Sequence, residues 1–416
     1  MSKRHFNQQG QHPQGVDSVS DLPEPDACAQ EVCNHLQQKV LAEIEQSGGS
    51  ISFARYMEMA LYEPGLGYYA AGSQKFGTEG DFVTAPEISP LFAKCLARQC
   101  QQVLGTMQGG IVFEFGAGSG VLAADLLHEL ERLACLPEKY LILEVSPELR
   151  VRQQETLQKN IPHLLERVQW LDKMPAQDIK GVVIANEVLD AMPVQRFHVD
   201  RSGTSGCVQQ IHIRRSSKEE DSPFNWCYAP ADEAIVAQVE KIQQDCAIEF
   251  ADGYESELQM AYEPWLQTLS DHFSSGAVFL IDYGYPGCEY YLQERHSGTL
   301  MCHYRHRAHA DPLILTGLQD ITAYVDFTAV AEAALNAGFE VSGFTPQAHF
   351  LLGCGLDELM STVDPEDTQK YLKVSQQAKT LTLPGEMGER FKVLGLTKEL
   401  DLDLRGFSLQ DHRHRL

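Results

Sequence analysis

A mixed α/β fold built on a parallel sheet is what this sequence predicts, and three observations predict it. Apolar runs alternate with amphipathic helical stretches through residues 106–196. A glycine cluster, Gly116, Gly118 and Gly120, stands between the first such run and the helix that follows. A further apolar run, AVFLIDYGY (277–285), resumes the rhythm after a polar interruption. Apolar strands separated by helices imply a sheet covered on both faces, because each crossover lays a helix against it.

Each element follows in order. Residues 1–25 are rich in Gln, Gly and Pro and read as a disordered tail. Residues 26–105 read as a helical N-terminal cap, with helices over 27–46, from Ser52, and over about 89–104. The last of these carries Leu91, Phe92, Cys95, Leu96 and Gln99 at helical spacing. The first half of the core, 106–196, takes strands from IVFEFG (111–116), KYLILEVS (139–146), RVQWLD (167–172) and GVVIANEVLDAMP (181–193). Helices over 121–133 and 147–160 separate the first three. Residues 197–275 break the rhythm with alternating segments, the polar run RRSSKEEDS and acidic helical material, and read as an inserted lobe of hairpin and helix. The second half, 276–400, holds the strand at 277–285, a helix over 327–339 and the strand EVSGFT. A late helix over 365–380 follows, with Asp364 as N-cap and Pro365 at its first position. FKVLGLTK (391–398) reads as a closing edge strand, and 401–416 as a C-terminal tail.

Length and charge bound the function. The 416 residues suit two or three structural units, or one core with large insertions. The 33 Lys and Arg against 58 Asp and Glu give a net charge of −25, which argues against nucleic acid or an anionic membrane as partner. Eleven cysteines without a CxxC pair read as reduced packing residues, not as a disulfide framework or zinc site. No apolar run reaches the ~18 residues a membrane span needs. The N-terminus lacks an apolar signal core and carries Asp17 and Asp21 against two basic residues, so a cytoplasmic location is expected.

The chemistry concentrates at strand ends. Glu114-Phe115-Gly116-Ala117-Gly118-Ser119-Gly120 lies between a strand and a helix, where bare backbone and unpaired N–H groups meet polar ligands. Val121 breaks the GxGxxG dinucleotide pattern. GxGxG after an acidic residue suits S-adenosyl-L-methionine, which has no pyrophosphate to cradle. Glu144 ends the second strand, where a carboxylate binds ribose hydroxyls in nucleotide sites of this architecture. Asp172 ends the third, as an adenine contact or as a loop acid. Asn186, Glu187 and Asp190 end the fourth, where open parallel sheets place the reacting centre. A guanidinium stays protonated near neutral pH, and paired carboxylates are suited to hold it. Capping of a following helix is the rival role for either acid.

At these residues the sequence resembles the MidA-like class I S-adenosylmethionine-dependent methyltransferases, whose mitochondrial members are respiratory complex I assembly factors. The matching stretches are YMEMALYEPGLGYY (56–69), GDFVTAPEISPLF (80–92), EFGAGSG (114–120), ANEVLDAMPV (185–194), LIDYGY (280–285), QDITAYVDF (319–327) and FKVLGL (391–396). The resemblance implies a Rossmann-like, seven-stranded core with a helical extension and an inserted lobe. It implies S-adenosyl-L-methionine as methyl donor and arginine methylation of a protein, in relatives a complex I subunit, with a homodimer plausible. It places Gly80, Asp81, Phe82, Thr84, Glu87, Gly116, Gly118 and Glu144 around the cofactor, and Asn186, Glu187 and Asp190 at the transfer centre. Asp282, Tyr283, Asp320 and Thr322 map to the rim. Relatives often carry histidine where this chain has Tyr324; of His303, His306 and His309, His306 best fits a family position. No metal is expected there. A different acceptor, or a scaffold that binds the cofactor without turnover, is the alternative to arginine methylation.

Overall fold

The computed structural model describes residues 22–70, 84–176, 178–202, 207–217 and 222–416. Seven strands form the central sheet: β1 (Ile111–Phe115), β2 (Tyr140–Leu143), β3 (Val168–Leu171), β4 (Ile179–Asn186), β5 (Phe273–Tyr285), β6 (Glu340–Pro346) and β7 (Phe391–Lys398). Their order is β6-β7-β5-β4-β1-β2-β3, with the short strand Val325–Asp326 paired to the end of β5. Strands β1 to β5 are mutually parallel, while β7 runs antiparallel to both β5 and β6. The expected edge strand at 391–398 is therefore internal. Its residues are buried from Phe391 to Thr397, as a strand covered on both faces requires.

Alternation along each strand sends side chains to two separate cores. Val182 and Ile184 pack on one face with Leu96, Leu122 and Leu126. These last three belong to the helices Pro90–Thr106 and Val121–Arg132. Val183 and Ala185 face the other way, against the helices Tyr262–Asp271 and Phe327–Asn336. Gly181 marks a close approach: a Cβ there would collide with the Ile111 backbone. Helix 90–106 thus belongs to the core's flank. The helices Ala27–Gln46 and Phe53–Tyr62 pack instead on a second, antiparallel sheet.

That second sheet is built from Ser50–Ser52, Cys207–Arg215, Gln195–Asp200 and Glu255–Leu258, with Phe224–Pro230 paired to Cys207–Arg215. A third, small sheet joins Arg307–His309, Met301–Tyr304 and Asp320–Thr322. Two further expectations need correction. Cys246 and Cys288 form a disulfide, Cα–Cα 5.1 Å apart, that fastens the end of the lobe helix Glu233–Asp245 to the turn after β5. They stand 42 residues apart in sequence, so no local pattern exposes the pair. The late helix is Thr368–Thr382, capped by Asp367, which accepts from the Lys370 N–H. Asp364 instead caps a preceding turn by accepting from the Glu366 N–H at 2.9 Å. No helix of the described residues is long and apolar enough to cross a membrane.

Candidate active site

A cavity of about 700 Å³ opens where the parallel strands end, lined from the glycine turn, the ends of β2 and β4, and the third sheet. Its glycine wall is conformationally specific. Gly116 at φ 60° and Gly118 at φ 51° lie in the left-handed region, so the turn presents bare backbone to the cavity. Glu114 lies beneath, buried, accepting from the Tyr140 hydroxyl at 2.7 Å. Burial pushes its carboxyl up to about 7 despite that hydrogen bond. The Ser119 hydroxyl donates to Glu87, which ties the turn to the short helix Ala85–Ile88 and its lining residue Thr84.

Glu144 closes the next corner. Its carboxylate accepts from the Ser146 N–H at 2.9 Å and the Gln153 amide at 3.0 Å, and burial raises its pKa. Gln153 does more than hold Glu144. Its amide also reaches the Gly118 carbonyl at 3.1 Å, and its oxygen accepts from the Trp170 indole at 2.8 Å. One buried side chain on helix Pro147–Asn160 therefore couples the glycine turn, β2 and β3. Asp172 is a correction: 82% exposed, it pairs with Arg150 at 2.5 Å and does not line the cavity. A residue just past the end of a strand is free to turn outward, and Arg150 on the outer helix draws it there.

Strand β4 delivers the acidic floor. Glu187 adopts φ 53°, unusual for a non-glycine residue and costing on the order of 1–3 kcal/mol. Its N–H is held by the Ile281 carbonyl at 2.9 Å, and its carboxylate accepts from the Asn186 amide at 3.2 Å. Burial, with Asp190 nearby, pushes Glu187 up to about 8; burial also pushes Asp190 up to about 6, while the Tyr283 hydroxyl opposes that rise. Asn186 Oδ1 and Asp190 Oδ1 are buried without a hydrogen-bond partner among the described residues. Such orphaned acceptors await a donor, because desolvation without a partner is unfavourable.

Asp282 is not at the rim. It is buried under the turn after β4, where it accepts from the N–H groups of Leu189 at 3.0 Å, Asp190 at 3.2 Å and Tyr283 at 2.9 Å. Tyr283, Asp320 and Thr322 do line the cavity. Asp320 accepts from the Tyr69 hydroxyl at 2.9 Å, and Tyr69 stacks on Tyr62 with ring centroids 5.6 Å apart. Both tyrosines come from the helix Phe53–Tyr62 and the turn after it, and Tyr62 donates to the Ala191 carbonyl at 2.9 Å.

His306 is a further correction. Arg305 at φ 47° and His306 at φ 62° form the two-residue turn between Met301–Tyr304 and Arg307–His309, so His306 is exposed. His303, two strand positions from Met301, shares its cavity-facing side and lies directly across from Asp320. Burial pulls its imidazole down to about 4. Gly80, Asp81 and Phe82 lie outside the described residues. Sequence reasoning missed Tyr62, Tyr69, Gln153 and Arg390 as cavity or supporting groups and named His303 only to prefer His306; of these, only the tyrosines stood within a stretch quoted for its resemblance.

The described lining carries Glu87, Glu114, Glu144, Glu187, Asp190, Asp320 and Glu386 against a single Lys or Arg side chain, Arg390. Bare turn backbone, a strand-end carboxylate and an orphaned Asn186 oxygen fit a ligand with an amino-acid end and a ribose. The Asn186-Glu187-Asp190 floor fits a cation.

Comparisons with known proteins agree with this arrangement. A family of S-adenosyl-L-methionine-dependent methyltransferases matches residues 95–345. A structure from Burkholderia thailandensis bound to S-adenosyl-homocysteine aligns over 95% of this chain and 100% of its own, with TM-score 0.89 and 42% identity. "Protein arginine methyltransferase NDUFAF7, mitochondrial" from Danio rerio is 26% identical over 389 residues, 87% of this chain and 85% of its own. The Drosophila melanogaster homolog is 27% identical over 412 residues, covering 92% and 89%. These relatives are named mitochondrial, which overturns the cytoplasmic location expected from the N-terminal composition. A handful of charges in a short leading stretch carries far less information than likeness along nearly the whole chain.

Proposed function

The chain belongs to the family of S-adenosyl-L-methionine-dependent methyltransferases, and from that premise we propose that it methylates an arginine side chain of a protein. The observation that carries this reading is the floor of Glu187 and Asp190, two carboxylates beside orphaned acceptors, at the end of β4. The relatives named as protein arginine methyltransferases support the same acceptor, and the family resemblance points to a subunit of respiratory complex I as the protein that carries it.

Gly116, Gly118 and Glu144 would hold the cofactor, with Thr84, Glu87 and Glu114 supporting the turn. When bound, the cofactor supplies a methyl group on a positively charged sulfur, already an activated leaving group. The protein's work is alignment and exclusion of water, which carry most of such a rate. Glu187 and Asp190 clamp the guanidinium through charge-assisted hydrogen bonds, and Asn186 Oδ1 accepts one of its N–H groups. Tyr283, against Asp190, offers a ring face toward the cationic acceptor. As the new N–C bond would form and the methyl–sulfur bond break, with its electron pair left on sulfur, the guanidinium nitrogen would give up a proton. The arriving guanidinium draws Glu187 into its charged form, the original proton leaving to solvent, and the carboxylate, whose proton affinity burial raises, then receives the one released on transfer.

The test is transfer from isotopically labelled S-adenosyl-L-methionine to a mitochondrial protein extract, followed by acid hydrolysis and amino-acid analysis. Label in methylarginine is expected. Label released by mild base, or recovered only in other side chains, would reject the arginine acceptor while leaving the methyltransferase assignment intact.

A further inference from the structure

We propose that Arg390, backed by Arg295, forms a carboxylate-binding subsite at the acceptor mouth of the cavity, taking an acidic side chain that flanks the target arginine. The inference rests on the arginine reading above and names a feature of the acceptor that the reading leaves open. A cavity with this excess of carboxylates has no need of a cation to receive a guanidinium; a cation there opposes it. Arg390 nevertheless lines the cavity, with its guanidinium tethered to the Gly385 carbonyl at 2.9 Å and no carboxylate partner among the described residues. Its fork remains available for a bidentate carboxylate.

An aromatic ladder connects this rim to the acidic floor. Arg295 lies 4.0 Å above the Tyr285 ring; Tyr285 stacks on Tyr324 at 5.6 Å; Tyr324 meets Tyr283 edge-on at 5.0 Å. Tyr283 in turn stands beside Asp190. Burial holds the Tyr324 hydroxyl above its ordinary range, and the Arg390 and Arg295 charges both oppose that rise, so the two cations approach the ladder at one place. Arg295 has no carboxylate partner among the described residues either; it donates to the Glu289 carbonyl. Positive charge therefore enters the described lining on the Arg390 side, which it shares with Glu386, while the Glu187 and Asp190 floor carries negative charge alone.

Sheet topology favours the acceptor as the source of the carboxylate. Arg390 immediately precedes β7, which stands three strands from β1 and its glycine turn. At the usual strand spacing that is roughly 14 Å across the sheet. A bipolar site of this kind selects by repulsion as well as attraction, since a flanking lysine would meet Arg390 as a like charge.

The test uses the full chain with S-adenosyl-L-methionine and three synthetic peptides, each with one central arginine flanked by Glu, Gln or Lys. Wild-type kcat/KM should fall from the Glu to the Lys peptide by roughly tenfold or more, mainly through KM, as expected for charge complementarity. Arg390→Glu should reverse that order and leave the Kd for S-adenosyl-homocysteine unchanged, which also shows that the variant is folded. Equal rates on all three peptides from the wild-type protein would overturn the subsite and leave the arginine reading standing. Transfer to none of them, with S-adenosyl-homocysteine bound, would overturn both. If Arg390→Glu weakened S-adenosyl-homocysteine binding and left the peptide order intact, the carboxylate served would be the cofactor's, and the proposal would fail.

Discussion

Replacing Glu187 by glutamine removes a charge and keeps the shape, and its effect on stability has a sign that can be worked out. In the fold Glu187 is pushed from 4.5 up to about 8, first by burial and then by Asp190. The folded protein therefore keeps a proton there that the unfolded chain releases, and stability falls as pH rises from about 4.5 through about 8. Glutamine has no proton to lose, so its contribution is flat. The two proteins should have similar stability below about pH 4.5 and diverge above it, with the variant more stable. One unit of pKa is worth about 1.4 kcal/mol, and the side chain lines the cavity half-buried, so screening takes part of the effect; a gap on the order of 2–3 kcal/mol at pH 8.5 follows. Urea unfolding of both proteins at pH 5.5, 7 and 8.5 measures it. The same variant should lose methyl transfer by about 100-fold or more while binding S-adenosyl-homocysteine nearly normally. A glutamine variant less stable than wild type at pH 8.5, or offset by a constant amount at every pH, would refute the account of Glu187 as a carboxyl group whose charged form the fold disfavours until a cation arrives.

Other outcomes follow from the same geometry. Gln153→Ala should weaken S-adenosyl-homocysteine binding measured by calorimetry and destabilise the fold by about 1–3 kcal/mol, because buried Glu144 and the half-buried Gly118 carbonyl and Trp170 indole lose their hydrogen bonds together. His303→Ala should lower transfer to an arginine peptide, whereas His306→Ala, on the exposed turn, should leave kcat and KM within about twofold. Reducing Cys246–Cys288 opens a 42-residue loop and should lower the free energy of unfolding by up to about 4 kcal/mol, with S-adenosyl-homocysteine binding retained.

The sequence made the cofactor side more legible than the acceptor side, for a physical reason. The glycine turn, Glu144 and the β4 end are local features, each written within a few consecutive residues and tied to a strand whose apolar pattern is continuous. The tyrosine pair and Arg390 reach the cavity only through packing between distant segments, which periodicity does not record. His306 and His303 differ by a single turn: alternation along Met301–Tyr304 directs His303 inward, and the left-handed pair Arg305 and His306 then carries the next histidine out. Asp282 and Asp172 show the complementary difficulty. Both are acids of the sheet, but Asp282, within β5, is buried as a brace for backbone N–H groups, and Asp172, just past β3, turns out to Arg150. The internal position of β7 was equally hidden, since an apolar run fixes burial without saying which neighbours supply it.

That position of β7 has a consequence for how the molecule is made. β5 ends at residue 285 and its partner begins at 391, so on the ribosome more than a hundred further residues must emerge before the open side of β5 can be closed. Until then the nascent chain displays an apolar strand with unpaired backbone groups, a template for pairing with another chain. β7 also arrives between two strands already synthesised, so its docking completes a long-range contact late in folding. The rim at Arg390 and Phe391 forms in the same event, and a chain released early would carry a glycine turn without a finished acceptor chamber.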